Sequence, residues 1–185
     1  MTLALELSFD ASSERRIRQL WVELSQLYPA PGLLALGGEP HVSLAVFRHA
    51  EPAHINRVVS DLARRVSSFS VKFAAVGAFR TNEGVVFLAL EPSSELRCAH
   101  AHMMEVLGAE SALVEAYYRP TAWLPHCTVA FNVPGGSMEP VIEACQHAHT
   151  PFEARIRRLS AVRYRPADII CSTELAEPLT EGRGP

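Results

Sequence analysis

Lysine is nearly absent from this chain of 185 residues: of 17 basic side chains, Lys72 alone is lysine and the rest are arginine. Positive charge is also not concentrated anywhere. Residues 1–92 carry 9 basic and 9 acidic side chains and residues 93–185 carry 8 and 11, which gives the net charge of −3. Binding of long nucleic acid by counterion release needs a basic stripe, so any nucleic-acid ligand is expected to be short: a terminus, a nucleotide or a small ester. No apolar run approaches the roughly 18 residues of a membrane span. The opening MTLALELSFD lacks a basic region and carries Glu6 within its apolar stretch, unlike a signal peptide. The four cysteines (98, 127, 145 and 171) include no Cys-x-x-Cys pair, and read as reduced, buried thiols of a cytoplasmic protein. What remains, 48% hydrophobic and 20% charged, is the balance of a globule large enough to bury a core without disulfides or metal.

Against this plain background one pattern stands out. Pro40-His41-Val42-Ser43-Leu44-Ala45 is answered 85 residues later by Pro125-His126-Cys127-Thr128-Val129-Ala130. Both copies continue with a helical stretch, a strand opening at Phe69 or Phe152, and a hairpin ending at Glu91-Pro92 or Glu177-Pro178. Hydrophobic periodicity predicts strands over 3–9, 41–47, 70–80, 84–91, 126–133, 152–164 and 168–175. Helices are predicted over 12–28 (Ile17, Leu20, Trp21, Leu24 and Tyr28 inward), 53–67 (Pro52 in its first turn), 94–107 (Ser93 or Ser94 capping, Gly108 stopping) and 137–148. The expected fold is α+β: a bilobal, pseudo-twofold duplicated domain over residues 1–177. Two antiparallel or mixed sheets would face a central cleft, with the helices outside and residues 178–185 as a disordered tail.

Within a strand, residues two apart share a face. His41, Ser43, Ala45 and Phe47 are therefore expected on one face, and His126, Thr128, Ala130 and Asn132 on one face of the second copy. Each motif presents an imidazole beside a hydroxyl, and a pseudo-twofold axis would bring the two pairs together across one cleft. That set suits displacement at phosphorus, where a base is needed on one side of the phosphoryl group and an acid on the other. Imidazole serves as either near neutral pH, while hydroxyls can position the phosphoryl oxygens. A single His-x-Ser carries little information; two on strands at corresponding places of a duplicated chain carry a good deal. The remaining histidines do not make a metal site. His100 and His102 near Cys98, and His147 and His149 near Cys145, sit two apart on or beside helices and face apart, so solvated or edge positions are expected. Tyr117, Tyr118 and Trp123 precede the second motif, where an aromatic could stack on a base, and the stretch Pro29–Pro40 could form a flap.

The motifs His41-Val42-Ser43-Leu44 and His126-Cys127-Thr128-Val129 resemble the signature of the 2H phosphoesterases, also described as the 2′-5′ RNA ligase or LigT-like family, over about residues 3–175. The resemblance implies a metal-independent, cofactor-free phosphodiesterase that hydrolyses a 2′,3′-cyclic phosphate on an RNA end or small nucleotide. It implies His41 and His126 as the acid–base pair and Ser43 and Thr128 as phosphate-binding hydroxyls. Phe47, Arg48, Tyr118 and Trp123 are candidates for substrate contact, and a cytoplasmic monomer is expected. The alternatives are 2′-5′ RNA ligation at the same site and non-catalytic binding of a nucleotide or RNA end. In one respect the chain departs from the family: an arginine often found shortly after the second motif is replaced here by Ala130-Phe131. Arg48, Arg80 and Arg119 are the candidate replacements.

Overall fold

The computed structural model describes residues 2–28, 33–48, 50–148, 150–164 and 166–178. The first repeat runs β1 (Thr2–Phe9), α1 (Ala11–Ser25), β2 (His41–Phe47), α2 (Pro52–Ala63), β3 (Phe69–Phe79). The second runs β4 (Val85–Leu90), α3 (Ser94–Leu107), β5 (His126–Ala130), α4 (Met138–Ala148), β6 (Phe152–Tyr164), with β7 (Asp168–Glu174) added at the end.

Local chemistry sets these boundaries. Pro52 opens α2, where its missing N–H costs nothing. Ser93 caps α3 by accepting the Leu96 N–H at 3.1 Å, and Gly108, at φ +54°, ends it. α1 buries Ile17, Leu20, Trp21 and Leu24, the face read from the sequence, but stops at Ser25 rather than running to residue 28. β5 ends at Ala130 rather than 133, because Asn132 takes φ +57°, a conformation no strand continues through.

The strands make one seven-stranded sheet in the order β2-β1-β6-β3-β4-β5, with β7 beside β6, and every pairing is antiparallel. The expected α+β fold is met and the strands are antiparallel, but in place of two antiparallel or mixed sheets there is one sheet of two diverging halves. The reason is an exchange of strands. β6 of the second repeat lies beside β1, and β3 of the first lies beside β4, so each half-sheet takes its third strand from the other repeat. The two exchanged strands pair with each other only through Phe69–Phe73 and Phe152–Ile156. Beyond that short ladder they diverge, β3 along β4 and β6 between β1 and β7. The outer strands β2 and β5 approach each other without pairing. α1 packs on β5 and α4, and α2 against β6, β7 and α3.

The core is continuous from one repeat to the other, from Leu3, Leu5 and Leu7 through Phe73 to Val129 and Val141; full burial of each such side chain contributes about 1.5–3 kcal/mol. Cys127 and Cys145 lie in it, whereas Cys98 is exposed, contrary to the expectation of buried thiols throughout. Among the described residues no helix is long and apolar enough to cross a membrane. Residues 179–185 of the expected tail and 29–32 of the expected flap lie outside the described residues.

The turn between β3 and β4 depends on Gly84. It has φ +49°, and a Cβ there would stand 2.0 Å from the Val133 carbonyl oxygen. Gly84→Ala is expected to lower stability by about 1–3 kcal/mol, measured as a reduced midpoint of urea unfolding at unchanged slope.

Candidate active site on the two edge strands

Both motif strands follow a proline and lie at the edges of the sheet, where a residue without an N–H is tolerated. Both also carry the same irregularity. Between β1 and β2 the register runs from Leu5 opposite Ala45 to Glu6 opposite Ser43, skipping Leu44. Between β4 and β5 it runs from Val86 opposite Ala130 to Phe87 opposite Thr128, skipping Val129. Leu44 and Val129 are the same position of the repeat, so the duplication extends to a matched pair of β-bulges.

Each bulge breaks the alternation of faces. Upstream of it, His41 and Ser43, like His126 and Thr128, are half-buried on one face; downstream, Ala45 and Ala130 turn into the core at 0% exposure. This corrects the expectation for Phe47. It does not share the face of His41 but pairs with Leu3 in the core, 1% exposed, and is unavailable to a substrate. The bulges also free a carbonyl each, and the caps are exchanged between repeats. The Trp123 indole N–H, from the loop before the second motif, donates to the Ser43 carbonyl at 2.9 Å. Trp21, from the helix before the first motif, donates to the Thr128 carbonyl at 3.1 Å.

The two imidazoles are held alike at one nitrogen. Nδ1–H of His41 donates to the Glu39 carbonyl at 2.6 Å, and Nδ1–H of His126 to the Leu124 carbonyl at 2.7 Å. Fixing Nδ1 as the donor leaves Nε2 on each ring for proton exchange. The two rings are close enough that positive charge on His41 disfavours it on His126.

Their surroundings differ. His41 Nε2 lies 3.4 Å from Oε1 of Glu6, a carboxylate only 4% exposed that also accepts a hydrogen bond from the Tyr164 phenol. Burial pushes the Glu6 carboxyl above its usual range, against the pull of His41 and the Tyr164 hydrogen bond. His126 instead sits against Phe79 and Phe87, with ring centroids 5.1 and 4.9 Å away. Loss of water holds it below the usual histidine range, the Leu124 carbonyl opposing and His41 adding to the shift. Gly77 makes room for that aromatic pair, since a Cβ there would meet the Phe87 ring at 2.4 Å.

Tyr118 reaches the first motif from the loop before the second. Its buried phenol is in hydrogen-bonding contact with the Ser43 hydroxyl and feels the charges of Glu6, Glu83 and Glu115, and with burial as the largest cause its ionisation is pushed up. Trp123 is packed with one face on His100, at 4.1 Å and 17° between planes. His100 itself is 4% exposed and bonded through Nε2 to the Tyr118 carbonyl at 2.9 Å, a buried support of the site and not the solvated histidine expected. Tyr117 is 81% exposed. The candidate arginines are engaged elsewhere: Arg48 with Glu115 at 2.6 Å, Arg80 with Glu139 at 2.6 Å, and Arg119 with the carbonyls of Val114 and Ala112 at 3.2 Å. Burial pushes the thiols of Cys127 and Cys145 up to about 12, which leaves them un-ionised at neutral pH. Among the described residues no group of three or more histidine, cysteine or acidic side chains could hold a metal ion.

Sequence reading missed Glu6, Tyr164, Phe79 and Phe87. A signal for Glu6 was present: Leu3, Leu5, Leu7 and Phe9 alternate with Thr2, Ala4, Glu6 and Ser8, so a carboxylate lies on the face that pairs with the motif. The aromatic pair carried no such mark, since a strand phenylalanine is read as core.

This fold and site define a duplicated α+β protein with one His-x-Ser/Thr motif per repeat, and comparison with known proteins names the class. Residues 9–168 match the model of the 2′-5′ RNA ligase superfamily, and the chain belongs to that superfamily. Among solved structures it is similar to TT0787 of Thermus thermophilus, at 17% identity and TM-score 0.65, covering 96% of this chain and 99% of that one. It is also similar to E. coli LigT in apo form, at 14% identity and TM-score 0.62, covering 95% and 98%. The LigT complex with 3′-AMP matches at 15% identity and TM-score 0.60 over 95% of this chain and 98% of that one. Comparison with curated protein sequences finds no match.

The exchanged caps give a test of the matched bulges. Trp21→Phe and Trp123→Phe each strand a carbonyl and are expected to cost about 1–3 kcal/mol in chemical denaturation. Each should perturb the backbone amide signals of the opposite repeat's motif in an NMR spectrum.

Proposed function

We propose that the chain is a phosphodiesterase that opens a 2′,3′-cyclic phosphate, on an RNA end or a small nucleotide, with His41 and His126 as its acid–base pair. The observation that carries this reading is the matched pair of bulges with Nδ1 of both histidines tied to backbone, because it gives two equivalent proton-exchanging nitrogens beside two hydroxyls. One imidazole takes a proton from water as its oxygen bonds to phosphorus, and the other gives a proton to the ribose oxygen as its bond to phosphorus breaks. Ser43 and Thr128 would hold the phosphoryl oxygens and Tyr118 would orient Ser43; a ligand contact from Arg48 would require it to leave Glu115, and Trp123 would act by holding the Ser43 carbonyl. The 3′-AMP held by LigT, of like fold, supports a ligand of nucleotide size. So does the near-neutral charge, which offers no track for a long strand. Both motifs are on one chain, so a monomer carries the whole site, and the reaction is assigned to the cytoplasm. Ligation would be the same displacement with the hydroxyl of a second strand in place of water, served by the same four side chains.

The test is hydrolysis of nucleoside 2′,3′-cyclic phosphates in EDTA. His41→Ala and His126→Ala are each expected to lower kcat by about 10²–10⁴-fold. Activity that requires an added metal, or that survives both substitutions, would overturn the reading, and tight nucleotide binding without turnover would make the site a binding module. An imidazole that accepts a proton must be neutral, and burial holds His126 neutral to below the usual histidine range. Activity should therefore persist as pH falls through about 6.5 and be lost only in more acid solution. Phe79→Ser, which rehydrates the ring, should move that loss to higher pH.

A further inference from the structure

The two copies of the motif are backed by unlike residues: Glu6 and Phe87 stand at equivalent places, whereas Tyr164 and Phe79 reach them from different positions near the ends of β6 and β3. Opposite Ser43 on β1 stands Glu6; opposite Thr128 on β4 stands Phe87. Tyr164, the last residue of β6, hydrogen-bonds Glu6, while Phe79, the last residue of β3, packs on Phe87 at 4.5 Å. Duplication has kept the histidine and the hydroxyl and changed what lies behind them: a carboxylate and a phenol at His41, two phenyl rings at His126.

We propose that Glu6 is a positioning residue that keeps a proton on Nε2 of His41, making His41 the donor to the leaving oxygen and His126 the acceptor of the proton from the attacking water. The proposal rests on the hydrolytic reading above.

A buried carboxylate is costly unless paired. Glu6 is 4% exposed, and its partners are the Tyr164 hydroxyl and Nε2 of His41. One is a neutral donor; only a protonated His41 supplies charge, and that charge works against the burial that pushes the Glu6 carboxyl up, so carboxylate and imidazolium stand or fall together. At 3.4 Å the nitrogen is farther from Oε1 than the roughly 2.7–2.9 Å of a charge-assisted hydrogen bond. The carboxylate therefore favours the proton through its field without capturing it, and the proton stays deliverable. The other groups around His41 leave this balance standing. Glu39, before β2, is paired with Arg158 of β6. Tyr118 is held un-ionised by burial. Cys127 of β5, whose thiol bonds the His41 backbone, is likewise un-ionised. His126 of β5, the one group that opposes charge on His41, is itself kept neutral by its phenyl surroundings.

During turnover Nε2–H of His41 passes to the ribose oxygen as the P–O bond breaks, and Nε2 of His126 takes the water proton as the new O–P bond forms. The product is a phosphomonoester with a free ribose hydroxyl. Proton exchange with solvent then discharges His126 and recharges His41, the latter driven by a buried carboxylate left without its counter-charge.

Glu6→Gln keeps the size of the side chain and a partner for Tyr164 while removing the charge. With a nucleoside 2′,3′-cyclic phosphate, the alkaline limb of the kcat profile is expected to move toward acid by about one pH unit, a loss of about tenfold above that limb. KM and the acid limb set by His126 should stay in place, and Glu6→Asp should restore part of the shift. A loss equal at all pH values, or an alkaline limb that does not move, would show that Glu6 serves packing only. Nitrogen-15 NMR of the wild-type imidazoles, without substrate, decides the same point independently of turnover and of how any variant folds. His41 should take up its second proton at higher pH than His126, and the reverse order overturns the proposal. Absence of turnover with the expected order of titration would overturn the hydrolytic reading and leave the pairing of Glu6 with His41 intact.

Discussion

The skipped residues Leu44 and Val129 are the constraint on which the site depends. A regular strand would place Ala45 and Phe47 on the face of His41 and Ser43, and would carry that face past the edge of the core. With one residue left out of each ladder, two half-buried polar side chains are followed directly by side chains that turn inward. The histidine and hydroxyl thus stand on a rigid, hydrogen-bonded strand, and the next residues anchor that strand in apolar contact. Precision at the site comes from the packing just beyond it.

Support for the site is shared across the duplication. Trp21 and Trp123 each reach over to the motif of the other repeat, and His100 holds Trp123 through its ring and Tyr118 through its backbone. Neither motif is completed by its own repeat alone. The equivalence stops at the residues behind the imidazoles, where Glu6 with Tyr164 and Phe87 with Phe79 set opposite electrostatic surroundings a few ångströms apart. Symmetry of scaffold and asymmetry of charge are thereby separated: the first is written in strands and bulges, the second in two pairs of side chains.

Much of this was legible in the sequence. The element order and the two motifs follow from periodicity and from a repeat that keeps proline, histidine and hydroxyl in register, and the boundaries of β2 and β6 agree to the residue. The face of Phe47 did not follow, because a bulge is a property of pairing, and no count along one strand reveals that its neighbour skips a residue. The single sheet was hidden for a related reason: repeats read along the chain suggest that each closes on itself, whereas β3 and β6 have changed places. His100 looked like a surface residue on a helix with little amphipathic contrast, and only the loop that folds over it, bearing Tyr118 and Trp123, removes it from water.

That exchange of β3 and β6 bears on how the chain is made. With α1 to α4 and both motifs lying between them in the chain, β1 leaves the ribosome well ahead of its inner neighbour, residues 156–164. Until then β1 can pair only with β2, a two-stranded ribbon that is marginal in water, with the apolar face of Leu3, Leu5 and Leu7 uncovered. Completion of the first half-sheet therefore waits for β6 at the end of the second repeat, and contacts so distant in sequence close slowly. Between the synthesis of β1 and that of β6 the nascent chain carries an unfinished core, in need of shelter from aggregation until β6 arrives.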